Sequence, residues 1–591
     1  MKKRTIAMIL AVLFVLALFS GCGGKGTTTE NTAAPSAKPT EAAKTAAPSN
    51  STTESAAPVE EVEVDRMAKG KYQADADGWP TAKYEYELPL TDREVELSFF
   101  TLTWTAQFMP EGLMENVDYW IEMQRMTGIH LNFIQSTSAN CKEQFAVLLA
   151  SDEVPDITSQ GQYRYSGTTE QSIDEKVFAN LYDYREYMPN YMYEIAQRSV
   201  NNKNCHDTVF IKPNKIVSFY GLAVKPSLSG WSLRQDLMDE LGLGLAENVN
   251  TIDKLHTVLA AFKSADYGGP NFWPTTLYST LEREAGKLFT GLNTYLTINL
   301  SIGLRIVDGT VQVIGIQDDE KEGISILRQW YSEGLISPNY TGYTSNTDME
   351  NELTNGLIGF LSLATGDASN YNNICTDPDC NWQAASRILR EEDQTVHFGL
   401  STSGVGYGTF SVGANCEEIP LAVSWCDWQY SESGSEYITW GVEGVLWERN
   451  EKGERYATDM ALNFERGWGW AIMTFANCAL MEGGLNGTGD KCINVDSSYN
   501  DKSVSVWANV KNDDAWAWRT GATLTPEEKD EVSSLTTDVQ TYQTEHWSMM
   551  VESSESMEEW DTYVANMKKM GFDRMQEIYQ EAYDRFIATQ V

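Results

Sequence analysis

Between Glu94 and Thr158 the hydrophobic period of the chain switches back and forth between two and near four, and this order restricts the fold more than any other feature. Glu94 to Thr103 (EVELSFFTLT) alternates and is rich in β formers, so it reads as a strand that ends at Trp104. Asn116 or Asp118 can cap a following helix carrying Val117, Trp120 and Ile121, and Gly128 closes it, since glycine tolerates the left-handed conformation past a helix end. Ile129 to Gln135 reads as a second strand with Ile129, Leu131 and Phe133 on one face and His130, a structural residue, on the other. An apolar helix around Phe145 to Ala150 and a short strand at Asp156 to Thr158 complete the unit. Strand, helix, strand, helix, strand is the order of a parallel sheet with covering helices.

The N-terminus fixes the compartment. Lys2, Lys3 and Arg4 precede an apolar run from Ile6 to Phe19 and then Ser20, Gly21 and Cys22, the layout of a secretion signal. The run is 14 residues long, against about 20 for a membrane-spanning helix. Small residues before a cysteine resemble the lipobox of bacterial lipoproteins, with Phe19 where that family prefers Leu, which implies cleavage after residue 21 and acylation of Cys22. From Gly23 to about Pro58 the chain is Thr, Ala, Ser, Pro, Gly and Glu, with too little bulky apolar surface to offset its ordering entropy. The expected organisation is a signal peptide over 1–21, a lipidated disordered tether over 22–84 and a folded part over 85–591. A tether behind a lipid lets a soluble domain sample the space above the membrane while staying attached.

The folded part holds 17 of the 18 Trp and is long enough for two lobes with separate cores. The formal charge of −40 becomes −43 once the three basic signal residues are removed, which argues against nucleic acid or anionic lipid as ligand and favours a neutral or cationic one. Most of this charge serves to keep an exported protein in solution. Eight cysteines remain besides Cys22, with close spacings at Cys375/Cys380, Cys416/Cys426 and Cys478/Cys492; the even count permits disulfides and fixes no pairing. There is no C-x-x-C, and His130, His206, His256, His397 and His546 lie far apart, so no metal or other cofactor is expected. Asp75 to Gly78 (DADG) has the start of a calcium loop without its later ligands, and reads as a turn.

Collinear segments over nearly the whole folded part resemble the extracellular solute-binding proteins, the large family 1 lipoproteins that serve carbohydrate ABC importers. TGIHLNFIQ and FAVLLASDEVPDI match that family's TGI strand and the helix before its ASGD-x-PD-I segment, although Asp152 follows Ser151 directly and the glycine is absent. LYDYREYMPNY, WSLRQDLMDELGL, LRQWYSEGLISPNY and NELTNGLIGF follow in the family's order. So do the stretch from Phe410 to Trp447 and the closing DTYVANMKKMGFDRMQEIYQEAYDRF, while KIVSFYGLAV follows its hinge strand only in part. The resemblance implies an α/β fold of the two-lobe periplasmic-binding-protein type II with hinge-crossing strands. It puts the first lobe at about 85–215 and 355–405, the second at about 216–354 and 406–591, and the ligand between them.

In open α/β sheets ligands sit beyond the carboxyl ends of strands. Trp104, Tyr163 and Asp367 satisfy that rule in the first lobe, and Trp231 and Trp273 are the candidates in the second. Trp468 and Trp470 (RGWGWA) share one face if this segment is a strand, a face that core and cleft claim equally. Indole and phenol rings cover the C–H face of a sugar while polar side chains bond its hydroxyl edge. Trp120, Trp330, Trp425 and Trp428 fall in amphipathic helical stretches, where packing is the expected role.

The function implied is a lipid-anchored, monomeric binding protein on the outer face of a bacterial membrane. It would capture a carbohydrate, an oligosaccharide by preference, and pass it to permease subunits; no G-x-x-x-x-G-K-[ST] loop for ATP is present. The alternatives are a ligand sensor for a membrane receptor and a surface glycan-degrading enzyme. The enzyme would need a carboxylate pair about 5 to 10 Å apart around a glycosidic bond, and the chain carries neither G-x-S-x-G nor H-E-x-x-H, so no catalytic residues are assigned.

Overall fold

A computed structural model of the chain describes residues 64–588 apart from 225–228, 266, 268, 278–287, 297–302, 344–345, 401–403, 466, 477–481 and 496–497. The signal, Cys22 and the tether up to residue 63 lie outside the described residues. The opening unit is β1 (Val95–Leu102), α1 (Asp118–Thr127), β2 (Ile129–Ser136), α2 (Cys141–Ala150) and β3 (Ile157–Ser159). β1 pairs in parallel with both neighbours, Val95 opposite Ile129 and Phe99 opposite Ile157. α1 stops at Gly128, whose φ is 74°. These are the elements the alternation predicts, within a residue or two at each end, except that α2 begins at Cys141, four residues before the expected Phe145.

Helices α3 (Gly161–Arg164), α4 (Thr169–Asp174), α5 (Pro189–Ser199) and α6 (Lys203–Val209) lead into β4 (Phe219–Ala223). The chain then crosses to β5 (Ser229–Arg234), β6 (Trp273–Thr275), β7 (Ile358–Ala364), α7 (Thr365–Ile374) and β8 (Trp382–Ala384). It returns with β9 (Thr409–Val412), α8 (Ile419–Trp428), α9 (Trp468–Phe475) and β10 (Gly484–Asn486). A third crossing leads to α10 (Ser498–Ala508), α11 (Pro526–Val551) and α12 (Phe572–Ala588). α11 starts where the sequence dictates: Pro526 occupies its first turn, and Thr525 and Glu528 each hydrogen-bond the other's backbone N–H.

Two sheets result. One has the order β10-β4-β9-β3-β1-β2, the other β8-β5-β7-β6. Each has its own core. Leu97, Phe99, Trp120, Trp425 and Trp428 belong to the first and Trp231, Leu233, Trp330, Trp547 and Met575 to the second. Fully burying each of these side chains contributes about 1.5–3 kcal/mol. Trp120, Trp330, Trp425 and Trp428 pack as their helical spacing predicts, all 7% exposed or less.

The lobe boundaries differ from those expected. β7 lies within the segment assigned to the first lobe, yet it pairs with β5, Trp231 opposite Ser362, and with β6, and so belongs to the second. Residues 409–486, assigned to the second lobe, supply β9 and β10 to the first sheet. A strand buried on both faces is apolar throughout, so its composition is silent about which sheet it joins.

The folded part also begins earlier than residue 85. Ala68 is fully buried, and Arg66 donates to both carboxylate oxygens of Asp92 at 2.9 and 2.7 Å. Tyr72 and Trp79 pack against the first core. Asp75 to Gly78 is a turn in which Asp75 Oδ1 accepts from the backbone N–H groups of Asp77 and Trp79. Among the described residues no group of three or more His, Cys, Asp or Glu is gathered as metal ligands, and the described cysteines are free thiols. Cys478 lies outside them.

Candidate ligand-binding cleft

Strands β1, β2, β3, β4 and β10 all end on one edge of the first sheet, where β9 begins. In the second sheet the start of β5 pairs with the end of β7, Ser229 opposite Ala364. Because β5 follows β4 after a short crossing, the carboxyl edge of each sheet is the one nearest the other lobe. This is where an open α/β sheet receives ligand.

Strand alternation divides the first lobe's edge into two flanks. Phe99 points to the large core with α1 and α8, and its neighbour Phe100 to a smaller one with Phe145 and Phe178. On the first flank Phe108, in the turn after β1, meets Phe464 edge-on at 5.1 Å and Trp470 at 6.0 Å. Gly467, at φ 83°, precedes α9 and lies against α7 of the second lobe so closely that a Cβ there would come within 3.1 Å of Asn370 Oδ1. Asp367 stands one turn before Asn370 on α7, half-buried. Trp470 and Asp367 are therefore brought to the same flank, from opposite lobes.

Trp468 and Trp470 lie on a helix, not on one face of a strand. Two residues apart on a helix means roughly 200° apart, so Trp468 turns to Trp440 at 6.4 Å while Trp470 turns to Phe108. Asp367 belongs to the second lobe, not the first, because β7 does.

On the second flank Tyr163, carried by α3, stacks on Tyr407 with ring centroids 4.6 Å apart and planes 12° from parallel. The two rings are 41% and 49% exposed, an aromatic plate open to solvent at the lobe junction. Tyr220 from β4 comes next, and beside it opens a groove of about 690 Å³. Its walls are Thr168, Thr169, Thr208 and Tyr220 of the first lobe and Thr520, Ser533, Thr536, Thr537 and Tyr579 of the second. Four hydrogen bonds bridge the lobes around it: Arg519 Nη2 to Asp207 Oδ2 at 2.8 Å, Thr208 Oγ1 to Thr520 Oγ1 at 3.1 Å, Thr520 Oγ1 to the Asn204 carbonyl at 3.4 Å, and the Lys529 ammonium to the Gly167 carbonyl.

Of the remaining candidates, Trp231 and Trp273 lie away from the cleft edge. Trp231 is 2% exposed, stacked on Phe360 at 4.9 Å within the second core. Trp273 opens β6 at the end paired with Ile358, the end of the sheet away from the crossings, where Lys263 lies over its ring at 5.2 Å. Trp104 follows β1 as expected but packs half-buried against the smaller core, its indole N–H buried without an acceptor. Sequence reasoning missed Tyr407, which announces itself only as an aromatic in a glycine-rich turn (GVGYGT), and the hydroxyl residues of α11, which look like ordinary helix surface.

No family model matches the chain, and no curated protein does. Solved structures do. The alginate-binding protein AlgQ2, solved without calcium ion, is 18% identical with a TM-score of 0.62, covering 83% of this chain and 98% of its own. An extracellular solute-binding protein from Bifidobacterium longum subsp. infantis is 15% identical with a TM-score of 0.66, covering 87% and 100%. An EF-hand mutant of the ABC-transporter substrate-binding protein FusA of S. pneumoniae, in complex with fructo-nystose, is 18% identical with a TM-score of 0.63, covering 84% and 100%. The chain has the two-lobe α/β fold of the ABC-transporter solute-binding proteins.

Proposed function

We propose that the chain is the extracytoplasmic substrate-binding subunit of an ABC importer and that it captures a carbohydrate, an oligosaccharide, between its lobes. The observation that carries this reading is the pairing of exposed aromatic rings with hydroxyl-bearing side chains at the lobe junction, in a fold whose neighbours include an alginate-binding protein and a protein holding fructo-nystose. Rings offer a flat apolar surface to the C–H face of a sugar, and hydroxyls donate to or accept from its edge. The lobes would close about their three crossing segments, and the closed form would be what the permease recognises. No bond in the ligand is broken, and ATP hydrolysis falls to a separate subunit. The protein acts as a monomer held to the outer face of the membrane by lipid on Cys22.

Thermal unfolding of the full chain against a panel of mono- and oligosaccharides tests the cargo. Free saccharide at 100 times Kd stabilises the folded state by about 2.7 kcal/mol, a midpoint rise of about 5 °C, and the saccharide is recovered intact. A rise with peptides alone, or a cleaved glycan, overturns the reading. The anchor is tested separately: Cys22→Ser should move the protein from the membrane pellet to the medium, and its retention in the pellet would count against lipidation.

A further inference from the structure

We infer that the groove between α4, α6 and α11 seats an uncharged sugar unit, so that the protein takes neutral oligosaccharides and not polyuronates. The inference rests on the carbohydrate reading and adds a place and a charge class to it.

The walls come first. Of the side chains that line the groove, those of Thr168, Thr208, Thr520, Ser533, Thr536 and Thr537 end in hydroxyls, and a tyrosine from each lobe, Tyr220 and Tyr579, supplies ring surface. A hydroxyl both donates and accepts and rotates to suit, which matches a ligand whose own edge is all hydroxyls. On α11 the residues Lys529, Ser533, Thr536 and Thr537 stand at i, i+4, i+7 and i+8, so a single helix face presents them together. Ser533 and Thr537 are exposed.

Charge then narrows the class. Two carboxylates and one ammonium line the groove: Glu170, Asp207 and Lys529. Glu170 is paired with Lys215 at 3.0 Å and Lys212 at 3.6 Å, and Asp207 with Arg519 at 2.8 Å, so the surrounding cations are already engaged. Lys529 donates a hydrogen bond to the Gly167 carbonyl. Its pKa is drawn down, first by burial and then by the charge of Lys142 across the lobe junction, with Asp530 acting the other way. A polyuronate would bring one carboxylate per ring into a groove whose cations are each already engaged, so that carboxylate would lose water without gaining a counter-charge. A neutral ring needs no counter-charge and meets hydroxyls, two phenol rings and the aliphatic side chains of Ile211, Leu524 and Val532.

The test is calorimetric titration of the full chain with maltotetraose, mannotetraose, cellotetraose, nystose and tetragalacturonic acid. It is repeated on Ser533→Trp, which fills the groove from an exposed helix position, and on Ser534→Trp, the next exposed position of the same helix, outside the groove lining. The expected result is binding of at least one neutral tetrasaccharide and not of the uronate, a loss of tenfold or more in Ser533→Trp, and less than threefold in Ser534→Trp. Thr537→Trp serves as the second blocking variant should Ser533→Trp not fold. Uronate binding as tight as that of any neutral sugar overturns the charge class while leaving the carbohydrate reading intact. Unchanged affinity in a folded blocking variant overturns the groove as the seat. Absence of binding by every saccharide removes the carbohydrate reading itself, and this inference with it.

Discussion

Replacing Asp427 with alanine is expected to destabilise the first lobe by on the order of 5 kcal/mol, more than any substitution in the cleft. The Asp427 side chain sits on α8, fully buried, and joins three stretches of chain far apart in sequence. Its Oδ1 accepts the backbone N–H of Tyr191 at 2.7 Å, and its Oδ2 accepts the backbone N–H and side-chain amide of Asn190 at 3.2 and 3.0 Å. Those two backbone donors belong to the first turn of α5, where an α-helix has no internal acceptors, so a carboxylate from another helix supplies the missing cap. The Tyr86 hydroxyl reaches the same oxygen at 2.9 Å and so fastens the N-terminal segment to the pair. Alanine leaves several buried donors without acceptors, each costing about 1–3 kcal/mol. Denaturant unfolding followed by tryptophan fluorescence should show the first lobe melting well before the second, with Asp427→Asn intermediate. A loss below about 1 kcal/mol would show that water replaces the carboxylate and that the junction is not what holds these segments together.

How far the sequence could be read depends on whether the relevant force is local. β1, α1, β2, α2 and β3 were legible because period, caps and the glycine at 128 all act within a few residues of one another. Trp231 could have been placed in the core from the same signal: it alternates with Leu233 on one strand face, and Leu233 is fully buried. The rule that ligands sit beyond strand ends takes no account of that alternation. Trp273 stands beside Gly268, Gly269 and two prolines, which suggest a loop, yet it opens β6, and such neighbours carry nothing about which end of the sheet it occupies. Asp367 follows a strand, as the rule for α/β sheets requires, yet its lobe depends on the partner of β7, a long-range pairing. Trp468 and Trp470 show the limit of a two-residue spacing. With only two aromatics, a strand face and two sides of a helix look alike, and Gly467, whose positive φ starts the helix, is as common in strand turns. The hydroxyl stripe on α11 gave no warning, because serine and threonine on a helix mean surface until another lobe is set against them.

Glu482 should make the protein less stable as pH rises from about 4.5 to above 7, by on the order of 3 kcal/mol. It lies just ahead of β10 beneath the carboxyl edge of the first sheet, 5% exposed, with Thr101 Oγ1 donating to it at 2.8 Å and the Ser159 hydroxyl adjacent. Burial raises its pKa to about 7, which those two hydroxyls lower only in part, and no cation is among the groups that act on it. The unfolded chain ionises at the ordinary glutamate value, so between that pH and about 7 the folded state binds more protons than the unfolded one. Stability from the neutral carboxyl is then complete below the unfolded pKa and is lost as pH rises through the folded one. Glu482→Gln keeps the shape and an acceptor for Thr101 while removing the ionisation. Its midpoint should match the wild type near pH 4.5, exceed it increasingly up to about pH 8, and run parallel beyond. Asp427 is also raised, to about 7, and contributes to the wild-type slope over the same window, so the difference between the two curves, and not either curve alone, isolates Glu482. Curves that stay parallel from pH 4.5 to 8 would mean that the carboxylate is solvated or paired in the folded protein, and that the floor of the cleft is more open to water than its packing indicates.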